Sequence, residues 1–351
     1  MEEKPKKRGR SRKAPVEAVS NGSDKTHDAL PAKIQPAAPV SLLEPVSIDT
    51  TLDVTVPLPK IRAGGTNPLE NGGMTVQGIS ALAPRRITCQ QVEASYLSDV
   101  GQIRDNNEDN AGAFLGTIPS LDGSQQTLFG FLVLADGMGG HEQGEVASSI
   151  AVRKMTENVI KQFYLPSLEG RQPGYHGETP IEILQGLIED TNQSILQEAH
   201  VNRVSMGTTL TCAVLVGQTA FVGHVGDSRM YVLEKSSGKL RQITHDHTMV
   251  QRLVDMGQLS PEDASNHPNR NILYMSLGQR GRVSADVEIL PLADISHMLF
   301  CSDGLWEMVE DLQIEEILKN THDPAEASAM LVAAANQAGG YDNVTVVVAK
   351  I

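Results

Sequence analysis

Beyond residue 84 the chain alternates short apolar runs with polar, glycine-bearing breaks. Runs at 128–135, 208–216, 220–225, 230–233, 297–301 and 344–349 are mostly as long as strands and rich in branched or apolar side chains. Many are too continuous to leave one face to water, which predicts sheets buried on both sides. Two stretches carry helical spacing instead: Ala147, Ala151, Met155, Val159 and Phe163 step by four, and Leu184, Ile188, Thr191, Ile195 and Ala199 by three or four. Adjacent in sequence, these helices are expected to pair on one sheet face. A third helix is expected from Asp323-Pro324-Ala325-Glu326, which has capping-box spacing and proline at the first helical position, to Gly339-Gly340. Strand meanders with paired helices outside them predict an α+β fold, most simply two sheets packed face to face and covered by helices. There is no internal repeat.

Residues 245–283 break the strand rhythm with a helical piece over 250–256, a helix start at Ser260-Pro261-Glu262-Asp263, and His267-Pro268-Asn269-Arg270. An excursion of this size between strands is either a binding flap or a structural insertion. Residues 1–84 open with Lys4-Pro5-Lys6-Lys7-Arg8-Gly9-Arg10 and continue rich in Pro, Ser, Gly and Asn. Such a segment buries too little apolar surface to offset its ordering entropy, so a disordered tail, basic at its start, is expected.

Charge sharpens this division. Of the formal −14 over 351 residues, residues 1–84 contribute +2 and residues 85–351 contribute −16. A strongly acidic domain is a poor nucleic-acid binder and a good host for divalent cations. No run approaches the ~20 apolar residues of a membrane span, and the N-terminus is not signal-like, so a cytoplasmic protein is expected. Cys89, Cys212 and Cys301 form no CxxC pair and are expected as buried free thiols.

The acidic residues cluster where strands end: Asn107-Glu108-Asp109, Asp136-Gly137-Met138-Gly139-Gly140, Ser302-Asp303-Gly304 and Asp342-Asn343. Carboxylates that converge at a sheet rim repel one another unless hard, oxygen-loving cations lie between them. Asp-Gly turns at two strand ends let a backbone carbonyl approach whatever the carboxylate binds. Oxygen ligands without paired His or Cys favour Mg²⁺ or Mn²⁺ over zinc. Two such ions would acidify a bridging water and clamp a phosphoryl group, which implies metal-assisted phosphoester hydrolysis. Arg104, five residues before Asp109, offers a planar fork for phosphate oxygens, or else a surface salt bridge. Asn343 is expected to bind back to its own loop and fix the carboxylate beside it.

Several further motifs follow in order: Gly101-x-x-Arg104-x-x-Asn107-Glu108-Asp109, Met206-Gly207-Thr208-Thr209, Gly226-Asp227-Ser228-Arg229, His267-Pro268-x-Arg270-Asn271, Cys301-Ser302-Asp303-Gly304-Leu305 and Gly340-x-Asp342-Asn343. With Asp136-Gly137-Met138-Gly139-Gly140-His141, this series resembles the metal-dependent type 2C protein Ser/Thr phosphatases of bacterial style from about Val92 to Ile351. The resemblance implies a central β-sandwich of two antiparallel sheets flanked by pairs of helices, in a domain over 85–351 whose flap is 245–283. It implies that Asp136 bridges two Mg²⁺ or Mn²⁺ ions and that the Gly137 carbonyl joins one of them. Asp109, Asp303 and Asp342 would add direct oxygens, and Glu108 would act through water. Asp227, with Asp303, would hold a third, weaker ion. A bridging hydroxide would attack phosphorus while Arg104 binds the substrate phosphate; Arg104, Asp136 and Asp303 are thus the expected catalytic residues. The eukaryotic-type histidine after Asp-Gly is replaced here by Met138, so the general acid is open between His141 and a third-metal water. The expected partners are Ser/Thr-phosphorylated proteins and a Ser/Thr kinase whose signalling is reversed, and a monomer is expected. The alternatives are a phosphatase dedicated to one transcriptional regulator and a catalytically silent phosphoprotein-binding relative.

Overall fold

A computed structural model describes residues 85–89, 92–139, 143–171, 173, 177–265 and 267–351. The expected tail over 1–84 and His141 lie outside the described residues. In chain order the first elements are β1 (Arg85–Cys89), β2 (Val92–Asp99), β3 (Asp109–Pro119) and β4 (Gln126–Gly139). Helix α1 (Gln143–Val159), a π turn (Ile160–Tyr164), α2 (Leu165–Leu168) and α3 (Pro180–Asn202) follow. Next come β5 (Met206–Thr208), β6 (Leu210–Val216), β7 (Thr219–Val225), β8 (Arg229–Glu234), β9 (Leu240–Gln242), α4 (Met249–Asp255) and α5 (Pro261–Ser265). The chain closes with β10 (Asp286–Pro291), β11 (Ile295–Cys301), α6 (Asp303–Trp306), α7 (Asp311–Asn320), α8 (Pro324–Gln337) and β12 (Val344–Lys350).

The strands form two antiparallel sheets, ordered β1-β2-β12-β11-β8-β9 and β10-β7-β6-β4-β3, with β5 beside β4. The alternation of side chains explains the continuous apolar runs. Along β4, Phe129, Phe131, Val133 and Ala135 pack with Ala147, Ala151 and Met155 of α1 and Leu184 and Ile188 of α3. Leu132 and Leu134, between them, join Met230, Phe300 and Val347 of the other sheet. In β12, Val344, Val346 and Val348 face Ile314, Leu318 and Leu331 of α7 and α8, whereas Val347 and Ala349 face the sandwich. Both faces of each central strand are therefore dry, giving a helix–sheet–sheet–helix order with paired helices outside. Helix α3 starts as its sequence dictates: Thr179 and Glu182 exchange capping-box bonds, and Pro180 stands at the first position.

One expectation needs correction. Cys212 and Cys301 are buried free thiols, but Cys89, on β1, is only half-buried. The expected third helix, α8, shares one apolar cluster with α7. Among the described residues no helix is long and apolar enough to cross a membrane.

Candidate metal centre

Antiparallel pairing brings the acidic motifs to one end of the sandwich. Asp109, the first residue of β3, stands opposite Asp136 near the end of β4. Strand β11 ends just before Ser302-Asp303, and β12 begins just after Asp342-Asn343. The β7–β8 turn, which crosses from one sheet to the other, carries Asp227. Glu108, Asp136, Gly137, Asp227, Asp303 and Asp342 line a single cavity of about 720 Å³ with Arg104, Met138 and Thr209. Asn271, Leu273 and Gln279, from the connection between β9 and β10, complete the lining.

Asp109 is placed differently from the rest: it is buried behind Asp136 and takes a hydrogen bond from the Ser302 hydroxyl at 2.8 Å. That hydroxyl also accepts the Thr345 N–H at 3.0 Å, locking the β11 and β12 ends to β3. The Asp136 backbone is fixed twice, its N–H donating to Thr209 Oγ1 at 2.9 Å and its carbonyl accepting Thr208 Oγ1 at 2.8 Å. Asn343 reaches farther than its own loop. Its side chain accepts the Glu108 N–H at 2.8 Å and donates to the carbonyls of Val100 and Asn106 at 2.9 Å. The bond within its loop runs the other way, from the Asn343 N–H to Asp342 Oδ1 at 2.8 Å. Arg104 donates to Asp342 Oδ2 at 2.7 Å, so the guanidinium already rests on an expected metal ligand.

Burial, then the neighbouring carboxylates, pushes Asp136 well above the usual carboxylate range, and burial, then Asp227, does the same for Asp303. Asp109 is raised to about 7 by burial against bonds from Thr345 and Ser302, and Asp227 to about 7 by burial and then Asp246. Asp136 and Asp303 still open partly onto the cavity, so solvent and ions reach them although the protein removes much of their hydration. Among the described residues no three His, Cys, Asp or Glu side chains are drawn together into a ready-made cage; the carboxylates ring the cavity and repel across it. This donor set of carboxylates and a carbonyl, short of positive charge, fits hard divalent cations.

Gly137 is required by close approach. A Cβ there would lie 2.2 Å from the Gly144 carbonyl oxygen and 2.5 Å from that of Glu108, both backbone atoms that cannot swing aside. Gly137→Ala is expected to cost about 1–3 kcal/mol of stability, measured by urea unfolding, and to lower turnover because it forces Glu108 away from β4.

The sequence of residues 120–338 matches the family model described as protein phosphatase 2C. The chain belongs to the protein phosphatase 2C family. It is 36% identical over 261 residues to the serine/threonine phosphatase stp of Listeria monocytogenes, covering 74% of this chain and 96% of that protein. The crystal structure of the Mycobacterium tuberculosis serine/threonine phosphatase PstP/Ppp superposes with a TM-score of 0.61 at 33% identity, covering 74% of this chain and 98% of that one. A structure of the PstP catalytic domain in complex with two manganese ions superposes at 0.58 with 32% identity, covering 74% and 97%. In this type 2C phosphatase the structure gathers Asp136, Asp303, Asp342, Asp227, Glu108, Gly137 and Arg104 around one cavity, while Asp109 is buried outside its lining and bonded to Ser302. Sequence motifs assign no role to Ser302, Thr208 or Thr209. Their hydroxyls bond to Asp109 and the Asp136 backbone across the fold, and no local spacing signals that.

Proposed function

We propose that this chain is a divalent-metal-dependent phosphatase of phosphoserine and phosphothreonine in proteins. The observation that carries this reading is the cavity that Asp105, Glu108, Asp136, Asp227, Asp303 and Asp342 line together with Gly137 and Arg104. Asp136, the Gly137 carbonyl, Asp303 and Asp342 would hold two Mg²⁺ or Mn²⁺ ions, Glu108 would act through their waters, and Asp227 with Asp303 would hold a weaker third. When bound, such ions supply Lewis acidity to water and to phosphoryl oxygens. Asp109 supports Asp136 from behind, its second oxygen turned by Ser302. Arg104 orients the phosphate with its planar fork. Water is the nucleophile. No cysteine lines the cavity, Cys212 is pushed up to about 12 by burial, and burial pushes Cys301 higher still, so neither supplies a thiolate. Met138 carries no proton for the leaving alkoxide, which leaves that task to His141 or to water.

A metal-titrated assay on phosphothreonine, phosphoserine and phosphotyrosine peptides tests the reading. Turnover is expected with Mn²⁺ or Mg²⁺ on the first two, to be lost with chelator; chelator-resistant binding without turnover would sink it. Arg104→Ala is expected to raise KM for a phosphothreonine peptide about 10–100-fold, the loss of a charge-assisted bond worth ~1.5–3 kcal/mol. Arg104→Lys should restore only part of that, because a point charge replaces a fork.

A further inference from the structure

We propose that His247 is a positioning residue: its ring, held by Asp286, fixes the Gly226-Asp227 turn and thereby sets the affinity of the cavity for its weakest-bound divalent ion. The inference rests on the reading of Asp227 as a metal ligand and adds what holds that carboxylate in place.

His247 is nearly fully buried, while the carboxylate of Asp286 is 58% exposed. The histidine grips the turn at two points. Its backbone N–H donates to the Gly226 carbonyl at 2.8 Å, and its ring Nδ1 lies 3.1 Å from the Gly226 N–H. A backbone N–H can only donate, so Nδ1 must carry a lone pair and the ring hydrogen must sit on Nε2. Nε2 in turn lies 3.2 Å from Asp286 Oδ2, which accepts that hydrogen and selects the tautomer the turn needs. The ring is wedged between His224 and Tyr274, at centroid distances of 4.9 and 5.5 Å.

The turn needs such an anchor because its backbone is unusual. Gly226 has φ of +111°, and a Cβ there would lie 2.6 Å from Thr209 Cγ2. Thr209 is the residue whose hydroxyl accepts the Asp136 N–H, so the turn rests on the support of the central carboxylate. One residue on, the Asp227 carbonyl accepts the Trp306 indole N–H at 3.1 Å, and Trp306 closes the short helix that Asp303 opens. Arg229 lies 3.7 Å over the indole ring. Residues 226–227 are thus pinned from the histidine on one side and from the Asp303 helix on the other. A side chain needed only to fill the space could do so without an acceptor aimed at the residue before Asp227.

The test compares full-length His247→Gln, His247→Asn and Asp227→Asn by Mn²⁺ titration, read both as turnover and as protein-bound Mn²⁺ by electron paramagnetic resonance. Glutamine keeps a polar group near the Nε2 position but loses the acceptor at Nδ1, whereas asparagine keeps an acceptor there. His247→Gln is expected to shift the weakest Mn²⁺ site about 10–100-fold towards higher concentration, the usual effect of removing a group that orients a ligand. The tighter sites and KM at saturating Mn²⁺ should stay near wild type, and His247→Asn should recover most of the shift. Asp286→Ala should shift the same site in the same direction, which keeps the test decisive if His247→Gln fails to fold. Equal effects of glutamine and asparagine, or no shift in Asp286→Ala and a folded His247→Gln, would overturn the proposal. If Asp227→Asn shifts the titration and the histidine variants do not, only this inference fails. If Asp227→Asn is itself silent, the metal role of Asp227 fails with it.

Discussion

Asp136→Asn should abolish metal-dependent turnover and at the same time make the metal-free protein harder to melt. The two effects have one origin. Asp136 lies among Asp109, Asp303, Asp227 and Asp342, whose charges together with burial oppose its ionisation. Asparagine keeps the size and hydrogen-bonding shape but removes the need either to bury a charge beside the other carboxylates or to take up a proton on folding. It also removes the carboxylate proposed to bridge the metal pair. Several kcal/mol of transition-state stabilisation then disappear, a loss of about 10³-fold or more. The melting temperature without metal should rise by about 2–4 °C for each kcal/mol of that folding cost removed, and the stabilisation that Mn²⁺ gives the wild type should shrink. Thermal scans with and without Mn²⁺, beside a phosphothreonine-peptide assay, measure both. Asp303→Asn should behave alike. A variant that keeps its turnover would remove Asp136 from the proposed centre; one that simply unfolds would show that its carboxylate is structural.

The second large effect is the dependence of the metal-free protein on pH. Asp109 and Asp227 are each raised from 3.8 to about 7 in the folded protein. The folded state therefore holds protons that the unfolded chain has already released between about pH 4 and 7. A group raised in this way gives stability that is complete below its unfolded value and lost as pH climbs through its folded one. Buried His224 and His297, held below the usual imidazole range by burial, act in the opposite sense below about pH 6.5. Asp136 and Asp303 are raised as well, so with four carboxylates against two imidazoles the metal-free protein should lose stability as pH climbs through about 7. Saturating Mn²⁺ should flatten the slope, because a cation replaces the protons and adds binding energy to the folded state alone. Denaturant midpoints from pH 5 to 8, with chelator and with Mn²⁺, decide the matter; a chelated protein that gains stability with pH would contradict it.

How far the fold could be read from the chain follows from which strands are dry on both faces. Strands β4, β11 and β12 announce themselves because helices cover one side and a second sheet the other. β10 does not: it is an edge strand with several exposed side chains, and its pattern resembles that of a loop. β3 is equally quiet, since most of its residues are only half-buried and Gly112 and Gly116 interrupt it. Asp109, Asp136, Asp303 and Asp342 are legible because each sits at or near the end of a strand, whereas Asp227 is reached only through the family resemblance and Asp105, which also lines the cavity, carries no such signal. The support of these carboxylates is not legible. Ser302 and Asp109 are separated by 193 positions, and Glu108 and Asn343 by 235, so these bonds exist only once the two sheets have aligned their ends.

The contact between Arg104 and Asp342 has a consequence for how the ligands of this site regulate one another. On the proposed reading, in which Asp342 is a metal ligand and Arg104 binds the phosphate, a cation that takes up the charge of Asp342 would release the guanidinium, and metal loading would strengthen phosphate binding. Linkage makes that coupling reciprocal: inorganic phosphate must tighten metal binding by the same factor. Product inhibition should therefore deepen as the cation concentration rises, and phosphate released by turnover would slow metal loss during dilution. On that reading the arginine would be an internal placeholder that lets cation and anion enter as cooperating partners rather than as independent guests.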